Sequence, residues 1–419
     1  MDEVLGGRTD EESQGFSSFI LSPSFFPRVP LAVPYWSGAT YRSILRCLIS
    51  GHIIDGSELG KLRSQVIETL GVADAVMCGS GSLALELALR TCGIRAGDEV
   101  VIPTFCCSAV VPPILAVGAT PVLADVGEEL NLTVETVDPV LTRKTRAIIV
   151  PHLFGNPADI EGIAELAARK NICVIDDAAQ ALGASIDGRP VGSFGDAGIV
   201  SFGNEKICSG IGGGAVVSHD ERFLTGGLRW ELAQPGLVPT LQILLSTLIR
   251  RWKAPLLKRT SRVDKIDPHT MPIPYEYESM PNLNAAVAMS LLQTLRKNIT
   301  ARRERIRVYR ELLGDEERLA LMRHRPGSAC LTQIVRILPG GRGRDVASEI
   351  IEALAVDGYE IHGSYVPIHL LGNSLRCVWD CLPHSTRVWP DLIELPCGPN
   401  VGLHQVEQIA AIVKATINP

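Results

Sequence analysis

Lys206 stands by itself between an apolar run, Ala197 to Phe202, and the glycines 210, 212, 213 and 214. Upstream, Asp176 and Asp177 close a second apolar run, Ile172-Cys173-Val174-Ile175, and Gln180 follows them. Strand, acid, strand, lysine, glycine turn and strand is the order that pyridoxal phosphate (PLP) requires. Its aldehyde needs an amine to bond to, and its pyridine nitrogen needs a carboxylate to keep it protonated. Lys206 and Asp177 suit those two roles. Taken singly, Lys206 reads as a solvated surface lysine and Asp177 as a helix N-cap. Their order and setting favour the joint reading, because an acid at the C-terminal end of a buried strand marks the ligand crevice of open α/β sheets.

Other elements must position these groups. Ala75 to Gly79 reads as the end of a strand, and Leu83 to Leu89 as a helix without breakers, with Ser80-Gly81-Ser82 at the junction. Small residues there leave backbone N–H groups of a helix N-terminus open to a phosphate dianion, and Ser201 offers a second hydroxyl to the same group. Before this turn, Tyr41 to Leu70 has helical spacing around a break at Ser50-Gly51. After Leu295 the helical spacing continues. The charges of Arg302, Arg303, Glu304, Arg305 and Arg307 read as a solvated helix face. Apolar segments at Leu331 to Leu338 and Tyr359 to Ile361, around a helix from Asp345 to Leu354, suggest a small α/β unit.

Composition bounds the remaining classes. With 419 residues, 46% hydrophobic and 21% charged, the chain fits a compact enzyme with a large and a small domain. A net charge of −6 argues against nucleic acid as a partner. The eleven cysteines show no paired spacing, which predicts reduced thiols, no metal site and a cytoplasmic protein. No dinucleotide or P-loop glycine register is present.

In its motifs the chain resembles the DegT/DnrJ/EryC1/StrS family of PLP-dependent sugar aminotransferases, which has fold type I. The matching segments are Ser80-Gly81-Ser82, Gly97 to Pro103, Gly118 to Asp125 and Pro151-His152-Leu153-Phe154-Gly155-Asn156-Pro157. They continue through Ile175 to Gln180, Ser201 to Lys206, Tyr365-Val-Pro367-Ile-His369 and Leu395-Pro396. The resemblance implies a large domain with a mostly parallel sheet flanked by helices and a smaller C-terminal α/β domain. In numbers, this is a tail over 1–40, a PLP-binding domain over 41–285 and the small domain over 286–419. It implies that Lys206 bonds the cofactor, Asp177 pairs with the ring nitrogen and Gln180 lies beside the ring oxygen. Gly81, Ser82 and Ser201 would hold the phosphate, and Cys107 falls where the family stacks an aromatic side chain on the ring. Tyr365 and His369 would approach the substrate. His152 would touch either the cofactor site or the core. The lysine at 206 also separates the chain from sugar dehydratases of the family, which carry histidine there.

The implied activity transfers an amino group, from glutamate, to a keto sugar that is nucleotide-linked, in polysaccharide or antibiotic sugar biosynthesis. The implied assembly is a homodimer. Three departures keep a degraded, regulatory PLP-binding protein open as an alternative, beside a dehydratase or an enzyme acting on a non-sugar ketone. They are Cys107, the acid missing before Gly213, and Tyr277-Glu278-Ser279-Met280 in place of an Asn-Tyr-Arg-Met segment. Residues 222–275 match nothing. There Leu241 to Ile249 precedes Arg250-Arg251-Trp252-Lys253, too short to span a bilayer. The simplest account is a helix packed on the core or a subunit interface, with a membrane-surface contact by 241–253 as the alternative.

Overall fold

The computed structural model describes residues 35–220, 231–253, 274–338, 343–372 and 375–418. Most of the expected tail and part of the unmatched 222–275 segment lie outside the described residues. Where the tail was expected to run on to residue 40, Trp36 is already buried and its Nε1–H donates to the Ser209 carbonyl at 3.0 Å.

In chain order the large sheet comprises β1 (Asp74–Cys78), β2 (Glu99–Pro103), β3 (Thr120–Ala124), β4 (Thr145–Pro151), β5 (Cys173–Asp177), β8 (Ala197–Ser201) and β9 (Gly214–Ser218). A hairpin of β6 (Ser185–Ile186) and β7 (Arg189–Pro190) interrupts it. The spatial order is β1-β9-β8-β5-β4-β2-β3, and β9 alone runs against the others. Both faces of the sheet are covered, so its strands are apolar almost throughout rather than alternating. Val100, Ile102, Ile149 and Ile175 face the helices α3 (Gly81–Thr91) and α4 (Val111–Ala116). Val101, Ile148, Val150 and Val174 face the opposite side, where α6 (Ile160–Lys170) packs and the short α5 (Val134–Val137) abuts it.

At the β1–β9 edge, α1 (Gly38–Ser50) and α2 (Glu58–Leu70) hold α8 (Asn282–Leu292), which is buried along nearly its whole length. Gly51 ends α1 in the left-handed conformation at φ 74°, as the Ser50-Gly51 break predicts. Between them in sequence lies α7 (Leu237–Lys253), anchored on the same core through Leu244.

The second sheet is antiparallel, in the order β10 (Leu319–Leu321), β11 (Thr332–Ile337), β13 (Leu392–Pro396), β12 (His362–Gly363). It is backed by α9 (Leu295–Leu313), α10 (Gly343–Val356) and α12 (Leu403–Ile417), with the short α11 (Pro383–Val388) before β13. Here two expectations fail. Arg302 and Arg305 are not on a solvated face but buried. Arg302 donates to Asn298 Oδ1 (2.8 Å) and the Leu331 carbonyl (2.8 Å), and Arg305 to the Val401 carbonyl (2.5 Å). Each guanidinium thus ties α9 to segments distant in sequence, a use of charge that helical spacing does not reveal. The thiols are not all reduced either. Cys92 and Cys173 form a disulfide with 6.3 Å between their Cα atoms, joining the end of α3 to the start of β5 across 81 residues.

Candidate active site

The C-terminal ends of β1, β5 and β8 open onto one cavity of about 250 Å³, lined by Gly81, Ser82, Cys107, Asp177, Gln180, Ser201 and Lys206. At one end α3 begins. Ser80 caps it, accepting the Leu83 N–H at 3.1 Å, which leaves the first-turn N–H groups directed at the cavity. A Cβ on Gly81 would lie 2.8 Å from both Cβ and Oγ of Ser201, so only glycine lets that hydroxyl close in on the helix terminus. Two hydroxyls, free N–H groups and a helix dipole in one place make an anion cradle. The glycine turn supports it from behind. Gly213 has φ +113°, and a Cβ there would strike Met280 Cε at 2.5 Å. The segment 277–280 leans on the cradle within this chain, through the Gly79 N–H donating to the Glu278 carbonyl at 2.8 Å.

The acids at the end of β5 divide by strand alternation. Asp176 is fully buried; Oδ2 accepts the Gly192 and Phe194 N–H groups, both at 2.8 Å, and Oδ1 meets His152 Nε2 at 2.7 Å. His152 Nδ1 accepts the Ala158 N–H at 2.8 Å, so its proton sits on Nε2 and is donated to Asp176. Asp177 faces the cavity instead. Its Oδ1 accepts the Ala179 N–H at 2.9 Å, and burial pushes its carboxyl above the ordinary value despite the opposing pull of that bond and of Lys206. A buried carboxylate with one protein hydrogen bond among the described residues calls for a cationic partner.

Between these ends, the side wall is fixed by Gln180. Its Oε1 accepts the Phe154 N–H at 3.0 Å and its Nε2 donates to Tyr365 Oη at 3.2 Å. Phe154 holds φ 58°, rare for a large side chain, and stacks on Tyr365 with 6.0 Å between centroids. Phe105 belongs to this aromatic group, fully buried and 6.1 Å from Phe154. From that loop Cys106 and Cys107 line the cavity, and Phe105 does not.

Lys206 stands on the wall between this cavity and a second of about 120 Å³, which it lines with Glu205, Tyr365 and Glu394. Glu394 accepts Ser364 Oγ–H at 2.9 Å, and burial pushes its carboxyl up to about 7. Glu394 was missed in the sequence, although a single acid inside Leu392-Ile-Glu-Leu-Pro, where β13 should be apolar, is a signal.

Neither His152 nor His369 lines either cavity. His152 has no exposed surface and both ring nitrogens are engaged, which puts it in the core and not beside cofactor or substrate. His369 bonds Thr104 Oγ1 at 2.7 Å and Thr386 Oγ1 at 2.9 Å, latching the Tyr365 loop to the end of β2. Tyr365 reaches the site; His369 holds it there.

A profile of the DegT/DnrJ/EryC1/StrS aminotransferase family matches residues 38–414. The chain belongs to this family. Among its relatives, the GDP-perosamine synthase of Vibrio cholerae is 33% identical over 290 residues, 68% of this chain and 71% of that one. The UDP-N-acetyl-3-dehydro-alpha-D-glucosamine 3-aminotransferase of Acidithiobacillus ferrooxidans is 44% identical over 186 residues, 43% of this chain and 50% of its own length. In fold, the aminotransferase TlmJ from Streptoalloteichus hindustanus superposes with a TM-score of 0.75 at 23% identity, covering 93% of this chain and 99% of that one. As in the family at large, the chain is an aminotransferase with an α/β architecture, and the cavity at the β1, β5 and β8 ends is its candidate active site.

Proposed function

We propose that PLP binds in this cavity and that the enzyme passes an amino group from glutamate to a ketone on a nucleotide-linked sugar. One observation carries the reading. An anion cradle, a buried carboxylate in want of a cation and a lysine line the same 250 Å³ space. Those are the groups that a phosphate, a pyridinium and an aldehyde require, and the donor set fits. Gly81, Ser82 and Ser201 would hold the phosphate, Asp177 the ring nitrogen, and Lys206 the aldehyde carbon. When bound, PLP supplies the electron sink that acidifies a C–H bond of the amino donor.

The chain's own residues do the rest. Asp177 would keep the ring nitrogen protonated, and Gln180, pinned by Phe154 and Tyr365, would orient the ring edge. Lys206 Nζ would be the base that holds and moves the proton taken from the donor carbon. Apolar walls from Leu153 and Ile199 keep water from that transfer. Sugar as substrate is supported by the names of the two relatives above, and a homodimer in the cytoplasm, feeding polysaccharide or antibiotic sugar biosynthesis, accords with it.

The test is optical. Purified protein should carry an absorbance band near the visible edge that borohydride bleaches, that Lys206→Ala lacks, and that glutamate discharges. Turnover with a nucleotide-linked keto sugar then separates a catalyst from a regulatory PLP-binding protein. A colourless protein that takes up no PLP sinks the proposal.

A further inference from the structure

Strand β13 of the small sheet carries one polar side chain, Glu394. Alternation divides the strand. Ile393 and Leu395 enter the core formed with α9, α10 and α12, whereas Glu394 takes the other face and lines the 120 Å³ cavity beside Lys206. A carboxyl is costly to bury there unless a partner needs it. That partner is the chain leaving β12. His362 lies opposite Glu394 in register, the strand ends at Gly363, and Ser364 Oγ–H donates to Glu394 Oε1 at 2.9 Å.

The residue after Ser364 is Tyr365, whose ring stacks on Phe154 at 6.0 Å and stands edge-on to Phe105 at 6.5 Å. Its Oη accepts Gln180 Nε2–H at 3.2 Å. The orientation of that amide is fixed by its other end, because the Phe154 N–H can only donate and therefore requires Oε1. Glu394, Ser364, Tyr365 and Gln180 thus form one line from the small sheet to the wall of the cofactor cavity. Beyond Tyr365 the segment is fastened to the large sheet. Ile368 N–H donates to the Thr104 carbonyl at 2.7 Å, Val378 N–H to the Pro121 carbonyl at 2.9 Å, and Leu123 N–H to the Val378 carbonyl at 2.8 Å. Those bonds hold its far end, and Ser364 on Glu394 holds the near one.

We propose that Glu394 is a positioning residue: by holding Ser364 it sets Tyr365, and through Tyr365 the amide of Gln180, at the edge of the cofactor cavity. The inference rests on PLP as the occupant of that cavity. The experiment is a PLP titration of the full-length protein followed by absorbance, with thermal melts of the same samples. Ser364→Ala and Glu394→Ala should each weaken PLP binding about fivefold and displace its absorbance band, since hydrogen bonds around the ring tune its electronics. Combining the two should add nothing, because either one cuts the line at the same bond. Glu394→Gln keeps an oxygen for Ser364 and should restore both band and affinity. Thr332→Val is the control. It removes a different hydrogen bond to β13, from Thr332 Oγ1 to the Leu395 carbonyl at 2.8 Å, and should lower the melting temperature without moving the band. The proposal is overturned if Ser364→Ala keeps the band and affinity of the wild type, or if Thr332→Val displaces the band as far as Ser364→Ala does. Wild-type protein that takes up no PLP removes the cofactor from the cavity, and this inference with it.

Discussion

Replacing Asp177 by Asn should separate cofactor binding from folding. The two side chains are nearly equal in size, and Asn can keep the one hydrogen bond seen at Oδ1, from the Ala179 N–H at 2.9 Å. What it loses is charge, in a place only 5% exposed where burial already raises the carboxyl's pKa. In the cofactor-free protein the substitution should therefore cost nothing and add stability once the pH exceeds the raised pKa. The sign follows from the raised pKa. Over the window from the ordinary carboxylate value up to the raised one, the folded chain keeps a proton that the unfolded chain has released. Wild-type stability declines as pH climbs through that window, and the advantage of Asn vanishes below it. Cofactor affinity should move the other way. A hydrogen bond to a charged partner contributes about 1.5–3 kcal/mol, so PLP should bind about 10- to 150-fold more weakly. Both quantities are measurable on one sample, by thermal melts of cofactor-free protein across pH and by absorbance titration with PLP. An Asn variant that melts several degrees lower without cofactor, yet binds PLP as tightly as wild type, would falsify the assignment and make Asp177 a structural cap.

His152→Ala is the converse. It strips Asp176 of its buried partner and should cost about 3 kcal/mol in a denaturant melt of the cofactor-free protein, with PLP affinity unchanged in the molecules that remain folded. Cys107→Tyr places an aromatic face in the cavity and should tighten PLP binding about fivefold in the same titration. Glu394→Gln removes a carboxyl that burial raises to about 7. The folded chain then no longer holds a proton that the unfolded chain gives up, so the variant should be more stable above neutrality, by about 3 kcal/mol, and match wild type in acid.

The parts of the site that were legible in the sequence are those that sit at strand ends in chain order. Ser82, Asp177, Ser201 and Lys206 each follow an apolar run, and a mostly parallel sheet brings such ends to one edge. What stayed hidden depends on partners far along the chain. His369 looks like a substrate residue until Thr104 and Thr386 are seen on either side of its ring. Arg302 and Arg305 look solvated until the carbonyls of Leu331 and Val401 come over them. Adjacent acids at 176 and 177 are chemically identical in the sequence, and only the face each takes on β5 gives one to the core and the other to the cavity.

Lys206 belongs to two rooms at once, with the smaller one lined also by Glu205, Tyr365 and Glu394. A small molecule lodged in that back room would deprive the lysine of somewhere to retreat. Such a compound should arrest turnover without bleaching the protein's colour and without competing with either substrate, a pattern of inhibition that a blocker of the front room does not produce.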